Sequence, residues 1–172
     1  MIRAWLARLR GGTPAAEVGP PATAEAYRAQ LDAVLPHHTA AAVARLRAVA
    51  EALPEKARRI DVGVHPTQDG DGRFDVMVHL DGPDLYVLSK AVQPHRRLLE
   101  MRPGDPSASG LPRFDGAEEE GRDWEVNDVI AEACGDWIET VWQAAGPMPR
   151  PGVAFADEGW GDLHRDLPGD PG

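Results

Sequence analysis

From Ile60 to Leu80 the chain alternates apolar and polar residues on either side of a Gly/Asp turn. Ile60, Val62 and Val64 alternate with Asp61, Gly63 and His65, and Phe74, Val76, Val78 and Leu80 alternate with Asp75, Met77 and His79. A period of two marks a strand with one buried and one wetter face. The QDGDG turn places glycine where a tight hairpin needs positive φ. Both apolar sets sit at even positions, so the pairing joins even to even; a slip of one residue would turn one strand inside out. The simplest such register closes a loop over 68–72. It sets His65 opposite Asp75 and Asp61 opposite His79.

Elsewhere the spacing is helical. Thr23 is positioned to cap a helix running to Leu35, with Tyr27, Leu31, Val34 and Leu35 on one face. Pro36 ends or kinks it. Thr39 then caps a second helix over 40–53, striped by Val43, Leu46, Ala50 and Leu53 and stopped by Pro54. An antiparallel helical pair and one long helix kinked at Pro36 both satisfy this pattern. Residues 84–93 suit a short helix capped by Asp84, with Leu85, Leu88 and Val92 on one side. A strand there would need Leu85, Val87 and Ala91 to hold period two. Residues 96–102 read as a third strand.

Residues 104–123 have no periodicity and read as a mobile loop. Asp123 is then placed to cap the strongest helix, 124–145. Val126, Ile130, Ala133, Cys134, Trp137 and Val141 form its apolar stripe, widened by Ile138 and Trp142. The expected fold class is α+β: an N-terminal helical pair, a small antiparallel sheet of about three or more strands, and a long C-terminal helix packed on one face. The domain is expected to span 23–146. An arm and linker over 1–22 precede it, and a Pro/Gly-rich tail over 147–172 follows. The basic stretch 1–10 is amphipathic, but a helix so short is marginal in water, so an arm or frayed end is favoured over a membrane anchor.

Charge changes the picture in one respect. The 172 residues carry a net charge of −10. Its distribution is uneven: nine Lys/Arg meet five Asp/Glu in residues 1–60, and nine meet twenty-three in residues 61–172. An acidic body disfavours phosphate backbones, so no nucleic acid partner is expected. The partner that fits is a basic protein. The single cysteine, Cys134, excludes an intramolecular disulfide and suits a reducing cytoplasm. No apolar run approaches the about 20 residues of a transmembrane segment.

Two clusters are candidates for function. His65, Asp75, His79 and Asp61 share the polar face of the hairpin, where they could serve as an acid–base set or hold a divalent ion. A solvated strand face with cross-strand pairs is the plainer reading and is favoured. Glu125, Asp128, Glu132, Asp136 and Glu139 recur at helical spacing on the last helix, with Glu118–Glu120 ahead of them. That acidic face could engage a basic partner. The DGDG turn fails the calcium-loop template, because Arg73 and Leu80 stand where oxygen ligands are needed. His37-His38 sit between the two helices, where adjacent side chains face different ways, and read as an exposed loop pair, and Cys134 lies on the apolar stripe as an inert thiol. No nucleotide loop or serine elbow is present in the sequence, so neither a cofactor nor a metal is expected.

The stretches VGVHPTQDGDGRFDVMVHLDGPDLYVLSKAV, HRRLLEMRP and DWEVNDVIAEACGDWIETVW, taken in order, resemble an uncharacterised family of short acidic proteins from high-GC bacteria. Their general plan is similar to that of small immunity proteins that neutralise toxins. The resemblance covers roughly residues 23–146 and carries no catalytic residue with it. It implies a non-enzymatic binding protein; an acid–base or metal-dependent enzyme on the hairpin face is the alternative.

Overall fold

The computed structural model describes residues 19–115, 122–157 and 160–170. The basic stretch 1–10, most of the linker and the acidic run Glu118–Glu120 lie outside the described residues. The elements, in chain order, are α1 (Ala24–Val34), a 3-10 turn (Leu35–His38), α2 (Thr39–Glu51), β1 (Arg59–Pro66), β2 (Phe74–Asp81), α3 (Leu85–Val92), β3 (Arg97–Met101), a short 3-10 turn (Pro106–Ala108), α4 (Val126–Ala145), β4 (Gly152–Ala156) and β5 (His164–Leu167). The class is α+β, and the five strands run in the order β3-β2-β1-β4-β5.

The hairpin folds in the register that its pattern dictates. Ile60 faces Leu80, Val62 faces Val78 and Val64 faces Val76, while His65 stands opposite Asp75 and Asp61 opposite His79. Thr67 N–H donates to the Arg73 carbonyl at 2.9 Å and closes the loop over 68–72. Gly70 and Gly72 take φ of 61° and 85°. Asp71 braces the turn, accepting from the Thr67 hydroxyl at 2.5 Å and the Arg73 backbone N–H at 3.0 Å. Burial would raise the Asp71 carboxyl, but these hydrogen bonds and the Arg73 guanidinium outweigh it and hold it below the usual range. The acid–glycine turn is thus satisfied from within.

Several expectations need correction. The sheet is mixed: β4 pairs with β1 in parallel, and the other pairings are antiparallel. Residues 152–167, expected in a tail, supply two of the strands. Gly152 itself opens the first of them, and the strand GVAFA keeps a period of two. Residues 104–115 are not a loose loop either, because Ala108, Leu111 and Phe114 are buried in the core. Phe114 packs edge-on against Tyr27 with centroids 4.8 Å apart, and Arg122 stacks on both Phe114 and Trp124. Trp124 belongs to this aromatic cluster. The helix accordingly starts at Val126 with Glu125 at its N-cap, and Asp123 does not cap it.

The N-terminal pair is two helices joined by the 3-10 turn that Pro36 imposes. Thr23 caps α1 as expected, accepting from Ala26 N–H at 3.2 Å. Thr39 does not cap α2. The turn runs straight into the helix, so the Thr39 N–H already donates to the Pro36 carbonyl and leaves no orphan donor there. Its hydroxyl instead accepts from Trp137 Nε1 at 3.0 Å. Asp84 does cap α3, from a left-handed backbone (φ 59°) that Asp tolerates better than most residues.

The even face of β1 packs with α4, whose stripe from Val126 to Trp142 is buried throughout, and the even face of β2 joins the same core. Each large apolar side chain removed from water there stabilises the fold by about 1.5–3 kcal/mol. α1 and α2 pack against α4, and α2 also covers β3. Two arginines of α2 serve this packing. Arg47 donates to the Ala144 and Ala145 carbonyls at the C-terminal end of α4, and Arg45 to the Arg97 and Leu98 carbonyls of β3. A cation at a helix C-terminus also complements the macrodipole.

β4 enters the sheet at Gly152, where a Cβ would lie 1.9 Å from the Ile60 carbonyl oxygen and 3.2 Å from Trp142 Cη2. Gly152→Ala is therefore expected to cost about 3 kcal/mol or more in a denaturant melt, because backbone must move. Gly19→Ala, which would meet nothing within 4 Å, should leave the melt unchanged.

Candidate functional site

The period that buries Val62 and Val64 sends Asp61, Gly63 and His65 to the opposite face, beside Asp75, Met77 and His79 of β2. His65 and His79 are not directly opposed. They meet on a diagonal over Gly63, with Nε2 atoms 2.9 Å apart. The missing side chain makes room for them: a Cβ on Gly63 would lie 2.6 Å from His65 Nε2 and 2.8 Å from Phe155 Cζ. Phe155 of β4 stands opposite Gly63 and walls the pair, with its ring centroid 6.1 Å from His65 and 5.6 Å from His79.

Asp157 completes the arrangement. Its Oδ1 lies 2.7 Å from His65 Nδ1, and its own N–H donates to the Val64 carbonyl at 3.3 Å. A carboxylate on Nδ1 fixes the tautomer of a neutral imidazole. His65 Nδ1–H then donates to Asp157, which leaves the Nε2 lone pair of His65 to accept from His79 Nε2–H. Burial, then the neighbouring His65 and Arg96, push the His79 ring down to about 4, against a smaller upward pull from Asp61 and Asp157. His79 is therefore neutral near pH 7. The chain Asp157–His65–His79 can take up or pass a proton at one face of the sheet.

Of the four hairpin-face residues the sequence singles out, the structure joins His65 to His79 and separates the two acids. Asp61 is buried (8% exposed) and serves as a brace, accepting from Arg59 and from Val153 N–H at 3.0 Å. Asp75 lies 3.3 Å from Arg102. The residue that sequence reasoning missed is Asp157. The signal was present: Val153, Phe155 and Asp157 continue a period of two, but they lie in a segment whose composition reads as a tail. Among the described residues, no group of three or more His, Cys, Asp or Glu is arranged to hold a metal ion.

The acidic face of α4 is partly spoken for. Asp136 bridges Arg28 of α1 and Arg165 of β5, and Arg165 also reaches Glu139 at 3.0 Å. Burial alone would raise the Asp136 carboxyl, but the two guanidinium groups outweigh it and hold it below the usual range. Asp128 accepts from Gly161 N–H at 2.7 Å. Glu125 and Glu132 are exposed and make no ion pair among the described residues. Cys134 is buried, and burial pushes its thiol far above the ordinary range.

A second surface was not singled out by the pattern. Leu85, Tyr86 and Val87 in the first turn of α3 are 57%, 78% and 56% exposed, while Leu88 and Val92 of the same helix are buried. Tyr86, Ser89, Lys90, Gln93 and Arg96 line a shallow pocket of about 210 Å³ beside them.

The depressed pKa of His79 has a sign that can be checked. The folded ring resists protonation more than the unfolded one. Its contribution to stability is therefore complete above about 6.5 and is lost as pH falls towards about 4. In EDTA, the wild type should lose on the order of 1–2 kcal/mol more than His79→Gln across that window, after discounting for partial exposure. Parallel melts of the two proteins at each pH measure the difference; superimposable profiles would show that the ring is not held neutral.

No helix among the described residues is long and apolar enough to cross a membrane. No curated protein and no solved structure matches the chain. A profile of one family does match, over residues 22–166, and so takes in both strands that follow α4 almost to their end. The chain belongs to DUF6389, a family of unknown function.

Proposed function

We propose that the protein is a non-enzymatic, cytoplasmic protein-binding domain that recognises a basic partner, in the manner of small toxin-immunity proteins. The observation that carries this reading is the exposed trio Leu85, Tyr86 and Val87. Large apolar side chains clustered in water mark interaction sites, and tyrosine is enriched among the residues that dominate interface energies. Asp84 holds the trio by capping the short helix beneath it.

Charge and contact have separate jobs. A net charge of −10 draws a basic partner in from a distance, and Glu125 and Glu132 are the members of the α4 acidic face left without an ion pair among the described residues. Asp136 and Glu139 already satisfy Arg165, and recruiting them would break those pairs. The trio then supplies the contact that slows dissociation. A second reading, acid–base catalysis, is favoured by the Asp157–His65–His79 chain. It requires an activity that vanishes in His79→Gln and survives in Tyr86→Ala.

A photoreactive phenylalanine placed at position 86 of the full chain, irradiated in the native cell, should yield a discrete adduct heavier than the chain. The same label at exposed Glu51 should yield none. For the captured partner, Tyr86→Ala should weaken binding by about 2 kcal/mol, mostly as faster dissociation. Glu125→Gln with Glu132→Gln should slow association and flatten its salt dependence. Absence of any adduct at position 86, even at low salt, would sink the binding reading.

A further inference from the structure

We propose that His65 and His79 form a two-histidine site for a late first-row divalent metal ion, Ni²⁺, Cu²⁺ or Zn²⁺, with water in the remaining positions. The site is distinct from the α3 surface and does not depend on its role.

Three observations carry it. The first is distance. Two Nε2 atoms in adjacent positions of a square-planar or octahedral ion, with bonds of about 2.05 Å, stand about 2.9 Å apart, and about 3.3 Å apart around a tetrahedral one. The pair is 2.9 Å apart in the fold. A right-angled pair of bonds keeps that separation and asks only that the rings turn until both lone pairs point at the ion, and a tetrahedral one needs a further few tenths of an ångström. The second is orientation. Metal-binding histidines almost always donate their other ring N–H to a carboxylate, a backbone carbonyl or water, which fixes the ring's orientation and raises its basicity. Asp157 stands 2.7 Å from His65 Nδ1 in that role, which leaves Nε2 over the glycine beside His79 Nε2. The third is the setting. Gly63 leaves the space in which the rings meet, and Phe155 packs beside both.

The chemistry balances simply. In the free protein the His79 Nε2–H is donated to the His65 Nε2 lone pair; when the ion binds, that proton moves through solvent to His79 Nδ1, so His79 stays a neutral ligand in its other tautomer, and His65 Nδ1 keeps its proton on Asp157. Two nitrogens are fewer than the three or four ligands of a closed structural site. The ion would therefore keep exchangeable water on the open side of the sheet, and imidazole donors favour the late transition metals over Mg²⁺ or Ca²⁺.

The test is a calorimetric titration of the EDTA-stripped full chain with Ni²⁺ and with Zn²⁺ at pH 7.5, with thermal melts in parallel. One ion per chain is expected, with a rise in Tm. Binding should be lost in His65→Gln and in His79→Gln and weakened about 10–100-fold in Asp157→Asn. It should be unchanged in His37→Ala with His38→Ala and in His164→Ala, and Mg²⁺ should have no effect. On the wild type, Zn²⁺ should shift the Nε2 signals of His65 and His79 in a nitrogen-labelled sample while the His65 Nδ1–H persists. That readout stays decisive if a variant folds poorly. An absence of saturable binding, or binding that survives either histidine change, or shifts confined to the other histidines, overturns the proposal.

Discussion

The parity of β1 is the constraint on which the rest of the molecule depends. Ile60, Val62 and Val64 must face α4, because the fold has no other place to bury them. In a strand that decision also fixes the opposite face. Asp61, Gly63 and His65 have no freedom left, and the hairpin register then delivers His79 to within reach of His65. The chemistry on the outer face is thus a by-product of packing on the inner one. Only one further residue is needed to turn proximity into contact, and that is a residue with no side chain.

Electrostatics plays a second organising part. A chain with a large acidic excess has to keep its cations where they are most useful. Arg45 and Arg47 are spent on backbone carbonyls of β3 and α4, and Arg28 and Arg165 hold Asp136 from two sides. Gly135 in mid-helix is the counterpart of that clamp. A Cβ there would lie 2.5 Å from Leu163 Cδ1 and 3.2 Å from Arg165 Cζ. The glycine costs α4 about 1 kcal/mol of helix propensity, and it allows β5 to lie close enough for its arginine to reach two acids. An acidic stripe read from spacing alone is in this respect a strut.

What could be read from the sequence was local. The hairpin register, the Asp84 cap, the Thr23 cap and the α4 stripe each follow from residues within a turn or two of one another, where periodicity and capping act directly. What could not be read was made by distant partners. β4 is a strand because β1 offers it an edge about ninety residues earlier in the chain. Without that edge, five residues flanked by proline and glycine carry no visible preference. Asp157 was hidden for the same reason, and so the histidine pair was visible while the acid that orients it was not. The helix starts expected at Thr39 and Asp123 fail for the same reason: the Thr39 hydroxyl is held by Trp137, and Trp124, which would open the last helix, is held by the Tyr27–Phe114 cluster.

The parallel pairing of β1 with β4 also sets an order of events. β1 gains β2 as soon as the hairpin turn is made, but its other edge has no partner until the chain has extended past α4 to Ala156. A growing chain that has reached only α4 therefore holds a three-stranded sheet whose central strand in the finished fold is still an edge. Bare strand edges invite pairing with other chains, and long-range parallel contacts form slowly. The vulnerable period of this protein is the interval between the completion of α4 and the arrival of β4. Chains truncated after Ala145 would carry that exposed edge permanently.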